Sequence, residues 1–136
     1  MQKHFSTQIC APLLLALSLL GASGYIPGVG LYLWGFFALG DQFGISGVLG
    51  ADLYHEHKLI THGPFARLRH PMYAGVLLAA LGALMIFRTW AMVLFAPVSL
   101  VVLARAGREE TLLAEEFGEA WKAYAAEVPR WFPRKT

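Results

Sequence analysis

The sequence predicts an all-α integral-membrane helical bundle, with about four transmembrane helices and a C-terminal amphipathic helix at the cytoplasmic face. Composition is the first reason. Apolar residues make up 57% and charged residues 15% of the 136 positions, against roughly 45–50% and about 25% in soluble domains. The second reason is where charge is missing. Ile9 to Gly40, Pro71 to Phe87 and Thr89 to Ala104 contain no Asp, Glu, Lys or Arg. The third is where charge returns, because it gathers between and after these runs. A net charge of +2 with no Lys/Arg cluster argues against a nucleic-acid partner. Cys10 is the only cysteine, which excludes an internal disulfide and a zinc site built on paired cysteines. The length is that of a single domain, residues 1–136.

The first uncharged run is 32 residues long. As one helix it would reach about 48 Å, against a hydrocarbon core of about 30 Å. It contains Gly21-Ala22-Ser23-Gly24 and Pro27-Gly28-Val29-Gly30, and such clusters punctuate helices. Two helices are expected, roughly residues 6–23 and 27–42, joined by a Gly/Pro turn. Lys3, the apolar stretch Ile9 to Leu20 and the small residues after it also fit a signal peptide over residues 1–23. The later runs need a membrane under either reading. They count 17 and 16 residues and are separated by Arg88, which predicts a tight helical hairpin.

With four spans and the N-terminus inside, ten of the eleven Lys and Arg residues are cytoplasmic and only Arg88 is outside. That is a strong positive-inside bias. All nine acidic residues share the cytoplasmic face. The expected location is an integral membrane, the cytoplasmic one in a bacterium, with both termini and any reactive site at the cytoplasmic face.

Two polar segments lie on that face. In Asp41 to His70, glycines 44, 47 and 50 break the start, and Ala51 to Ile60 reads as a short helix carrying Asp52, His55, Glu56 and His57. His55 and His57 are two apart, which points them to different faces of a helix, and no carboxylate completes a ligand spacing, so no metal is expected. Gly63-Pro64 is a turn signal. Pro71 suits the first position of a helix, where its missing N–H costs nothing. His70 then sits at the cap of the third span, where free N–H groups and Arg69 form an anion site.

In the second segment Leu113, Phe117, Trp121 and Tyr124 recur at helical spacing as one apolar stripe. The simplest reading is an amphipathic helix on the membrane surface. Arg105 and Glu109 extend the stripe backwards by steps of four. They would face the membrane or the bundle, where ionisable groups are costly and point to function; the alternative is a helix-end ion pair.

Taken together, the two segments resemble a known superfamily. Gly63-Pro64-Phe65-Ala66-Arg67-Leu68-Arg69-His70-Pro71-Met72-Tyr73-Ala74-Gly75 resembles the Gly-Pro-Tyr…Arg-His-Pro-x-Tyr-x-Gly motif of integral-membrane methyltransferases. That superfamily includes the isoprenylcysteine carboxyl methyltransferases and the phospholipid N-methyltransferases. Its second motif is matched by Arg105, Glu109-Glu110, Leu113, Phe117-Gly118, Trp121, Tyr124 and Val128-Pro129. The resemblance covers about residues 31–133, with the motif-bearing core at about 41–133. Phe65 and Trp121 stand where the family has Tyr. The short N-terminal region implies a reduced scaffold or a partner chain, a homo-oligomer included.

The resemblance implies an S-adenosylmethionine-dependent methyltransferase acting on a lipophilic acceptor from the lipid bilayer, by isoprenylcysteine-type carboxyl O-methylation. The alternatives are N-methylation of a phospholipid or other lipophilic amine, and a non-catalytic scaffold or subunit. Cofactor binding would fall to Gly63, Arg69, His70, Pro71, Tyr73, Glu109 and Glu110. His70 and the helix start would meet the donor's carboxylate, Glu109 or Glu110 its ribose, and Tyr73, Phe117 and Trp121 its adenine. Arg105 and Glu109 are the catalytic candidates, Arg105 positioning a carboxylate acceptor. A carboxylate is already a nucleophile, so positioning is the main task, whereas an amine would first have to lose a proton.

Overall fold

The computed structural model describes residues 2–40 and 58–132. Every regular element among them is helical. α1 spans Gln2–Leu39, a single 3₁₀ turn Gly63–Ala66, α2 Pro71–Phe87, α3 Trp90–Ser99, α4 Val101–Phe117 and α5 Glu119–Glu127. Two stretches are long and apolar enough to cross a membrane, Cys10–Leu39 and Trp90–Phe117, and Pro71–Phe87 is a shorter apolar helix. They are not the buried helices of a soluble core. Leu15, Ile26, Phe37, Trp90, Leu94 and Val98 are all more than half exposed, an apolar surface that water would not tolerate at this extent.

The expected break in the first run does not occur. α1 is one helix of 38 residues, with Pro12 and Pro27 inside it. The glycines taken for a turn are packing positions. Gly21, Gly28 and Gly35 recur every seven residues along one face and meet α2, which runs antiparallel. A Cβ on Gly28 would stand 2.6 Å from the Ala79 amide nitrogen and 2.8 Å from the Gly75 carbonyl oxygen. One on Gly82 would stand 2.5 Å from the Gly21 carbonyl oxygen, and one on Gly35 would collide with the Met72 side chain. In a membrane, helices associate by such close backbone approach, and Pro and Gly are tolerated inside spans.

The unbroken α1 also changes the arrangement of the ends. Its last turns lie beside Gly63, whose nearest neighbours are Trp34 and Ala38. Further back, Ser18 accepts a hydrogen bond from Arg88 at 3.1 Å. The start of α1 is therefore at the opposite end of the bundle from the second polar segment, not on the same face.

The α2–α3 hairpin forms as expected. Arg88 takes a left-handed conformation, φ 49°, at the end of α2, and Thr89 caps α3 by accepting from the Met92 amide at 3.4 Å. α3 then runs through Pro97 and a turn at Leu100 into α4. The amphipathic segment is not one surface helix, because Gly118, at φ 51°, separates α4 from α5. The expected helix over 51–60 lies outside the described residues as far as position 57, and so do His55 and His57; residues 58–60 are not helical.

Candidate active site

Pro71 starts α2 as expected and is fully buried. That fixes where the two side chains before it and Tyr73 after it emerge. Opposite them, α4 presents Arg105 and, one turn on, Glu109 and Glu110. The two motifs meet here. His70 Nε2 lies 2.8 Å from Glu110 Oε1. Arg69 Nη1 lies 3.3 Å from the same oxygen, and Arg130 Nε 3.1 Å from it. Tyr73 donates its hydroxyl to Glu109 Oε2 at 2.9 Å and accepts from Arg105 Nε at 3.1 Å. Arg105 and Glu109 therefore face the bundle, joined through a tyrosine rather than directly.

His70 is only 5% exposed. Its ring stacks on Tyr73 with centroids 5.6 Å apart and touches Trp131 at 5.5 Å. Burial lowers its pKa below the usual 6.5, against the opposing pull of Glu110 and Glu109. The ring is neutral at pH 7, so Nε2–H donates to the Glu110 carboxylate. This differs from the expectation of a free donor at the helix cap, since the ring nitrogen is already committed to Glu110, and no side-chain cap bond forms.

An open cleft adjoins this cluster. It is lined by the apolar stripe Leu113, Phe117, Trp121 and Tyr124, together with Phe65, Arg69 and Glu109. The stripe thus lines a cavity, shared between α4 and α5 across the break at Gly118. Trp121 carries the Arg69 guanidinium 5.9 Å above its ring. Tyr124 donates to the Phe65 carbonyl at 2.7 Å, and burial pushes its pKa up to about 12. Phe65, lacking the hydroxyl of the family pattern, contributes its backbone oxygen here.

The structure thus gathers Arg69, His70, Tyr73, Arg105, Glu109 and Glu110 around one point, with Pro71 as their support. Gly63 stands apart, against α1. Among the described residues no group of His, Cys, Asp and Glu is arranged to hold a metal. The sequence reading missed Arg130 and Trp131. Their signal was Val128-Pro129, which ends α5 and turns the chain back. The Pro129 carbonyl accepts from the Arg69 amide at 3.0 Å, and this tie lays the next two side chains over His70 and Glu110.

A family model described as phospholipid methyltransferase matches residues 16–120, well over half of the chain. The chain belongs to this family. Its similarity to curated proteins agrees. A protein-S-isoprenylcysteine O-methyltransferase of Schizosaccharomyces pombe is 31% identical over 113 residues, covering 73% of this chain and 47% of that protein. A probable protein-S-isoprenylcysteine O-methyltransferase of Oryza sativa subsp. indica is 36% identical over 80 residues, 57% of this chain and 42% of the relative. Protein-S-isoprenylcysteine O-methyltransferase B of Arabidopsis thaliana is 35% identical over 80 residues, 57% of this chain and 41% of its own length. The aligned region spans less than half the length of these relatives. The phospholipid methyltransferase match stops at residue 120, short of Arg130 and Trp131.

Proposed function

We propose that this chain is an S-adenosylmethionine-dependent integral-membrane methyltransferase whose acceptor is a lipophilic carboxylate of the isoprenylcysteine type. The observation that carries the reading is the meeting of Arg69, His70 and Tyr73 with Arg105, Glu109 and Glu110 where apolar helices end. Family membership and the names of the relatives support it.

The residues fit such a donor. Arg69 Nε is buried without a hydrogen-bond partner, an orphaned cationic donor of the kind that an amino-acid carboxylate satisfies. Phe117 and Trp121 offer apolar walls for adenine, and Glu109 lines the cleft as an acceptor for ribose hydroxyls. When bound, S-adenosylmethionine supplies a methyl group made electrophilic by its sulfonium. Everything else is positioning by this chain. Arg105, fixed through Nε on Tyr73, brings a planar guanidinium to the mouth of the site, matched to a carboxylate. Glu109 holds Tyr73 in place. The surrounding apolar helices let a lipid-like molecule approach from the bilayer.

Charge supports a cytoplasmic placement of this site. Lys58, Arg67, Arg69, Arg105, Arg108, Lys122 and Arg130 lie toward this end, and Arg88 and Lys3, at the start of α1, toward the other, a positive-inside pattern of seven against two among the described residues. N-methylation of a lipophilic amine is a second reading. The carboxylates of Glu109 and Glu116, both lining the cleft, favour it, since they would attract an ammonium head. Detergent-purified protein should bind S-adenosylmethionine in a titration. It should pass a labelled methyl group to a prenylated cysteine bearing a free carboxylate. Transfer only to a phospholipid amine selects the second reading, and absence of donor binding sinks both.

A further inference from the structure

Glu110 Oε1 is approached by two arginines and a histidine, from Arg69, Arg130 and His70. The histidine is neutral, so two guanidinium charges face one carboxylate and one positive charge is left over. The surplus is only partly solvated, the Arg69 side chain being 17% and the Arg130 side chain 38% exposed. Arg69 Nε and Arg130 Nε are both buried and both without a hydrogen-bond partner. Arg130 Nε lies 3.1 Å from Glu110 Oε1 but is not aligned to donate to it. A buried N–H of this kind costs free energy unless something accepts from it.

The strap after α5 holds this arrangement. The Arg69 amide is tied to the Pro129 carbonyl at 3.0 Å, and Trp131 contacts the His70 ring. A Cβ on Gly107 would meet Arg130 Nη2 at 3.5 Å, so the guanidinium sits beside α4, near both Gly107 and Glu110.

We propose that Arg130 is a ligand-binding residue, forming with Arg69 a two-guanidinium site for the amino-acid carboxylate of the methyl donor. This rests on the donor reading above and adds the strap to the site. The chemistry is that of one excess positive charge and two unpaired N–H groups, which a single carboxylate neutralises and satisfies together.

The test compares two ligands that differ at this group. S-Adenosylhomocysteine carries the amino-acid carboxylate, and methylthioadenosine shares its adenosine thioether but lacks the amino-acid portion. Both are titrated into detergent-purified wild type, Arg130→Gln and Arg130→Lys. In Arg130→Gln, S-adenosylhomocysteine affinity should fall roughly 10- to 150-fold, the worth of a charge-assisted hydrogen bond. Methylthioadenosine affinity should stay within about two-fold, and Arg130→Lys should fall between. Equal losses for both ligands would show that Arg130 only props the fold and overturn the proposal. So would unchanged S-adenosylhomocysteine affinity, which would leave the surplus charge to an anion of the acceptor. A wild type that binds neither ligand refutes the donor reading itself, a result distinct from either of these.

Discussion

His70 Nε2 and Glu110 Oε1 meet at 2.8 Å although the residues are forty positions apart. This contact joins the start of α2 to the middle of α4, and Arg69 and Arg130 close on the same oxygen. One carboxylate therefore organises both motifs and the C-terminal strap.

Acid should weaken the fold through His70. Its folded-state pKa is lowered by burial, so below about 6.5 the unfolded chain takes up a proton that the folded chain resists. Stability is then lost as pH falls from 6.5 toward the folded pKa, and is fully present above 6.5. Thermal unfolding in detergent should show a melting temperature that drops between pH 7 and pH 5.5. His70→Gln, which cannot titrate, should show a shallower drop. An equally steep drop in the variant would place the titrating group elsewhere.

Tyr73→Phe removes both hydrogen bonds that link Arg105 to Glu109 while keeping the ring beside His70. Each bond is worth about 0.5–1.5 kcal/mol. Methyl transfer should slow by roughly 5- to 150-fold, the worth of the two bonds together, with S-adenosylhomocysteine affinity nearly unchanged, because the Glu109 carboxylate that would meet the ribose is kept. Rate and affinity falling together would show that Tyr73 belongs to the donor site.

The glycine seam predicts a sharp contrast. Gly82→Val forces a side chain into the Gly21 carbonyl and the Tyr25 backbone. Overpacking of this kind costs about 1–3 kcal/mol or more. Gly30→Ala meets nothing within 4 Å and should be neutral or gain up to about 1 kcal/mol from helix propensity. Melting curves of the two variants in the same detergent check this. Similar effects at both positions would contradict the antiparallel α1–α2 packing.

Topology can be read by labelling. In a Cys10-free background, His62→Cys and Arg88→Cys should be modified from opposite sides of the membrane. A tag placed before Gln2 should be accessible from the same side as position 88. A tag accessible from the side of position 62 would restore the two-helix reading of residues 6–42.

Much of this arrangement was legible in the sequence, for identifiable reasons. Pro71 announces the start of α2 because proline tolerates only a few helix positions. Arg88 announces the hairpin because a charge inside an apolar run marks a membrane boundary. The motif residues pointed to one cluster, and six of them meet. Gly21, Gly28 and Pro27 misled because glycine serves both turns and close helix contacts. Their spacing of seven, with Gly35, carried the distinction. The stripe from Leu113 to Tyr124 was periodic, yet periodicity alone does not reveal that Gly118 breaks the helix or that the stripe lines a cleft. Arg130 had no periodic partner, and its role depends on a backbone bond between Pro129 and Arg69.

α3 passes into α4 with only a turn at Leu100, so the apolar stretch beginning at Trp90 leads directly to Arg105, Glu109 and Glu110. Tyr73 rides on the equally apolar α2. The two halves of the polar cluster are thus mounted on neighbouring apolar helices. A slip of one helical residue between them is about 1.5 Å, enough to carry the 3.1 Å contact between Arg105 and Tyr73 out of hydrogen-bond range. The relative depth of α2 and the α3–α4 pair is therefore itself a variable of the site's geometry.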